Sequence, residues 1–203
     1  MAPGYIACCF WAAAVILWFS GWRAELAGRL SGKTAIWFLA GWPLLAGTPV
    51  FLMGWRIDGS LLWSAVLFVF LSFGLDVVRL WTAIAAGVLV GAIALFLQKL
   101  SAIIPPLSAV DALWASALIV GTVSAVFLRR AGEQLAGLTV GLLLAAAAVA
   151  WLDGRSFESR RLGDPSYPDL WWMSYAVIRL ETYAAAQWKE IRAWSDRKGG
   201  QRH

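Results

Sequence analysis

Histidine and cysteine are scarce in this chain of 203 residues: His203 is its last residue, and Cys8 and Cys9 are adjacent. No HExxH and no clustered Cys or His occurs, so metal sites and histidine-dependent catalysis are not expected and no cofactor is called for. Neighbouring cysteines cannot readily bridge to each other, and no third exists, so both read as small apolar wall residues. Charge is scarce as well. Only 14% of residues are charged, far below what the surface of a soluble domain of this length needs.

What is abundant is apolar and aromatic: 61% hydrophobic residues and 14 tryptophans. A helix needs roughly 20 mainly apolar residues to cross about 30 Å of hydrocarbon. Stretches of that kind run at 4 to 22, 34 to 53, 60 to 75, 80 to 97, 107 to 128, 135 to 152 and 170 to 188. The pattern predicts an all-α fold, a polytopic transmembrane helical bundle of seven helices. A bundle of six with an interfacial C-terminal helix is the alternative. Residues 1 to 188 form the bundle and 189 to 203 a basic tail. The first segment lacks a charged start and runs on to Trp22, so it reads as a retained helix and not a cleaved signal peptide. Pro105 and Pro106 suit the start of the fifth helix. Trp22, Trp55, Trp81, Trp151, Trp171, Trp172 and Trp188 lie near predicted ends, as interfacial belts require.

The formal net charge of +5 is a topology signal more than a nucleic-acid signal, because the basic residues sit in loops and in the tail. With seven helices and the N-terminus outside, Arg23, Arg29, Lys33, Arg79, Arg129, Arg130 and the tail are cytoplasmic. Arg56, Lys99, Arg155, Arg160 and Arg161 then lie outside. The six-helix alternative gives a similar excess; the three basic residues of the first loop favour seven. Both put the tail in the cytoplasm. There Trp188, Ile191 and Trp194 share a face ringed by Lys189, Arg192, Arg197 and Lys198, which suits anionic lipid or a cytoplasmic partner.

Residues Ala27 to Thr34 spell AGRLSGKT, a loose form of the phosphate-binding loop, but no strand and no soluble sheet accompany it, so it reads as a basic loop. Small residues recur four apart: Ala83, Gly87 and Gly91; Ala117, Gly121 and Ala125; Gly137, Gly141 and Ala145. Such stripes let helix backbones meet, within the chain or in a homo-oligomer. Ionisable groups at membrane depth form the candidate polar cluster: Asp111, Arg179 and Glu181, with Tyr175 and Tyr183 on the arginine's face. Arg179 lies about 14 Å into the last segment, near the midplane, and Asp111 is its candidate partner. Asp76 and Arg79, three apart at a tight turn, read as an interfacial pair. The loop from Asp153 to Pro168 carries Asp153, Glu158 and Asp164, with Asp169 just beyond; no spacing among them singles out an acid and base pair.

The segments FWAAAVILWFSGW, RLW at the fourth helix, GLTVG in the sixth and LGDPSYPDLWWMSY resemble the YphA family of uncharacterised bacterial membrane proteins from endospore-forming Gram-positive organisms. The resemblance implies a bacterial plasma membrane and assigns no functional residues. Composition and motifs lead to a non-catalytic membrane protein acting through lipids or protein partners, with a small carrier or channel using Asp111, Arg179 and Glu181 as the alternative.

Overall fold

The computed structural model describes residues 3–27, 32–52, 54–103, 109–153 and 161–199. Its long helices are α1 (Tyr5–Phe19), α3 (Gly32–Leu45), α4 (Gly59–Gly74), α5 (Val77–Ile103), α6 (Ala109–Phe127), α7 (Ala131–Asp153) and α8 (Tyr167–Gly199). A five-residue helix, α2 (Arg23–Ala27), follows α1. The strands β1 (Pro49–Leu52), β2 (Trp55–Asp58) and β3 (Arg161–Leu162) form a small sheet, β1 antiparallel to β2 and β2 parallel to β3. Two stretches are long and apolar enough to cross a membrane, Val77–Ser101 and Ala131–Leu152, whereas Tyr5–Phe19, Gly59–Gly74 and Ala112–Phe127 are apolar but shorter.

The second predicted helix, 34 to 53, stops early. Gly47 adopts φ 78°, a left-handed turn that ends α3, and Pro49 begins a strand where a helix interior would lose a donor. The chain then reverses at Gly54, φ 81°, into β2. Asp58 closes the hairpin by capping α4, its carboxylate accepting from the Ser60 N–H at 2.9 Å. Inside α3, Pro43 cannot donate to the Leu39 carbonyl, and the Trp11 indole of α1 does so instead at 2.9 Å. The predicted fifth-helix start at Pro105 and Pro106 lies outside the described residues.

Contacts at the two ends fix the helix directions. At the sheet end lie Gly4, the hairpin, Asp164 and Gln98, which donates to Asp164 at 3.4 Å. At the opposite end, Asp76 pairs with Arg79 at 3.3 Å, and Arg79 lies 3.8 Å from Glu133 of α7. Helices α5 and α7 therefore run parallel, and their glycines mesh. A Cβ added to Gly141 would stand 2.6 Å from the Gly87 carbonyl oxygen and 3.1 Å from the Gly91 amide nitrogen. Gly137 meets the backbone of Ala83 in the same way. A second seam joins α6 to α8, where a Cβ on Gly121 would lie 2.7 Å from Val177 and 3.0 Å from the Ser174 carbonyl. Backbones this close exchange many weak dispersion contacts without a side chain in the way.

Candidate functional site

The first half of α8 buries two polar residues, Asp169 and Ser174, and three aromatic ones, Tyr167, Trp171 and Trp172. Its start is pinned by Asp169, only 4% exposed, whose carboxylate accepts from the Gly4 and Ala7 amides at 2.8 and 2.7 Å. Asp169 sits in the first turn of its own helix while serving the free amides that begin α1, so one anion faces the positive ends of two helices. Nothing in the sequence marked it apart from the loop carboxylates. Asp164 has a similar task one turn earlier, accepting from the Ser166 N–H at 2.9 Å. Glu158 and the side chain of Asp153 lie outside the described residues.

One turn along, Trp171 and Trp172 are 1% and 2% exposed, which corrects their reading as interfacial residues. They pack against Phe38 and Trp42 of α3: Trp42 stacks on Trp171 at 5.9 Å and meets Trp172 edge-on at 5.5 Å. The Trp171 N–H donates to Thr139 of α7 at 3.2 Å. Position along the sequence puts these indoles at a helix end, but α3 and α7 pack against that stretch of α8, making it interior. Trp81 and Trp151 are 66% and 81% exposed, and Trp22 and Trp188 are exposed as well.

The predicted polar cluster is divided. Arg179 donates to the Gln134 side chain of α7 at 3.2 Å and to the Glu25 carbonyl of α2, while the Tyr175 hydroxyl donates to the Leu26 carbonyl at 2.5 Å. Gln134 also donates to the Leu128 carbonyl at 2.7 Å and to Thr182 at 3.1 Å. Gln134 belongs to the first turns of α7, so Arg179 is level with Arg130 and Glu133 at the arginine-rich end and not midway along the bundle. Glu181 points elsewhere and accepts from Thr122 of α6 at 2.5 Å. Asp111 lies at the start of α6, about 16 Å along that helix from Thr122. The side chain of Asp111 lies outside the described residues. Tyr183 joins neither group and packs its ring on Trp22 at 5.9 Å. Sequence reasoning missed Gln134 and α2, because a glutamine early in a helix and two main-chain carbonyls carry no charge signal.

Between these polar groups lies a small cavity of about 50 Å³, its walls including Trp18, Leu26, Phe38, Trp172 and Tyr175. Outside it, between α3 and α4, runs a larger groove of about 270 Å³, lined by Lys33, Trp37, Trp63, Val66 and Phe70 among others. Thr34, Phe38 and Leu67 line both. Among the described residues, no three His, Cys, Asp or Glu side chains come together as a metal site would need. Gly32, Lys33 and Thr34 form the first turn of α3, and the described element before them is the helix α2, not the strand that a phosphate-binding loop requires.

The tail does not form a separate unit, because α8 continues without a break from the bundle through residue 199. Trp188, Lys189 and Arg192 are exposed on it, with the Arg192 guanidinium 5.5 Å from the Trp188 ring centre. The side chains of Trp194, Arg197 and Lys198 lie outside the described residues. Comparison with family models, curated proteins and solved structures finds no match to this chain.

Proposed function

We propose that the chain is a non-catalytic polytopic membrane protein whose seven long helices cross the bilayer and which acts through bound lipids or a protein partner. The observation that carries this is the outer surface. Phe19, Trp37, Phe73, Trp81, Phe96, Val126, Trp151 and Leu180, from seven helices or their ends, are each at least 64% exposed. Apolar exposure on that scale is foreign to a monomer in water and suits a lipid-facing perimeter. The length of α5 and α7 supports the reading, since their mainly apolar stretches of 25 and 22 residues span on the order of 33–38 Å as helix. An odd number of crossings puts the two termini on opposite sides, and the excess of Lys and Arg at the Arg79 and Arg130 end favours a cytoplasmic C-terminus; the YphA resemblance implies a bacterial cell.

The polar cluster lends less to a carrier. Arg179 is engaged by Gln134 and Glu25, and Glu181 by Thr122. The glycine seams likewise serve packing within the chain, which leaves the basic end of α8 and the outer grooves as the surfaces for partners. Mild-detergent extraction of the tagged chain from native membranes should recover a stoichiometric protein or lipid companion. Recovery of the bare chain from every extraction would overturn the proposal.

A further inference from the structure

Resting on the membrane reading above, we propose that the groove between α3 and α4, with the cavity behind it, holds one acyl chain of an acidic phospholipid whose phosphate meets Lys33. The groove is shaped and not merely bare. Trp37 and Trp63 stack 6.1 Å apart, and the Trp63 indole is held by its bond to the Phe38 carbonyl at 3.0 Å. Gly41 leaves the space that the Trp63 ring occupies. Along α4 the lining runs from Trp63 to Phe70, about 10 Å of apolar wall.

Chemistry at the mouth selects the headgroup. Lys33 is exposed in the first turn of α3 and has no ion pair among the described residues, and the free amides of that turn add partial positive charge. Zwitterionic lipid would bring its own cation there, whereas an acidic lipid brings a net negative charge that Lys33 meets directly. Deeper in, the cavity wall contains Trp18 and Trp172, whose indole N–H groups are buried without an acceptor among the described residues. Trp18 lies directly under the mouth, its ring 3.9 Å from where a Cβ on Gly32 would stand. Buried donors without partners are costly, and the ester oxygens of a phospholipid are acceptors attached to the chain that the groove fits.

Native mass spectrometry of the full chain, released from micelles containing equal phosphatidylglycerol and phosphatidylcholine, tests this. One phosphatidylglycerol should remain on the protein and phosphatidylcholine should not. Lys33→Gln should lower retention of phosphatidylglycerol about fivefold, and Val66→Trp, which fills the groove and leaves the charge in place, should abolish it. Equal retention of both lipids, or of phosphatidylglycerol by wild type and both variants, overturns the site. That result leaves the membrane reading standing; a chain monodisperse without any detergent removes both.

Discussion

Two seams hold this molecule by opposite means. Between α5 and α7 the side chains have been removed, and Gly87, Gly91, Gly137 and Gly141 bring backbone onto backbone. Between α3 and α8 the largest side chains have been brought in, and Phe38, Trp42, Trp171 and Trp172 interlock as rings 5.1 to 6.2 Å apart. In lipid, burying an apolar side chain gains nothing from water, so helices associate through contact area and internal hydrogen bonds. Touching backbones and meshed indoles both maximise contact. They differ in tolerance: a glycine seam has no soft atom to give way, whereas a ring cluster can partly close around a loss.

The sharpest way to break the comparison is to put a side chain into the glycine seam. Gly141→Leu should cost upward of about 4 kcal/mol, because the new atoms meet the main chain of Gly87 and Gly91. Thermal unfolding in detergent should show little folded protein remaining. Trp171→Ala should cost about 3–4 kcal/mol, lowering the midpoint by roughly 10 °C without loss of the folded state. The carboxylate that ties α1 to α8 comes next. Asp169→Ala should cost about 2 kcal/mol, and protease sensitivity should rise near Gly4 first. Smallest of all is Gly74→Ala, at a helical glycine with open space around it. It should leave stability unchanged or raise it by up to about 1 kcal/mol, separating glycines that pack from glycines that do not.

The helical count and the glycine stripes were legible because each is written in a single segment: about 20 apolar residues, or small residues four apart. The burial of Trp171 and Trp172 is not legible locally because it depends on what packs against them, and their partners, Phe38 and Trp42 of α3 and Thr139 of α7, come from distant parts of the chain. The first strand of the hairpin at 49–58 lay inside an apolar run, with Gly47, Pro49 and Gly54 as local signs of the break. For Arg179, charge complementarity points to a carboxylate, while its partners among the described residues are a glutamine and a carbonyl, which carry no charge to read in the sequence. The groove between α3 and α4 has no sequence signature, because it is lined by both helices and not by either alone.

A single pair of reporter fusions tests the central claim most directly. Alkaline phosphatase joined after residue 160 and a fluorescent protein joined at the C-terminus report the outer and cytoplasmic sides respectively. The account predicts that both are active, with both fusions remaining in carbonate-washed membranes. Two reporters on the same side, or fusions released into the soluble fraction, would contradict it.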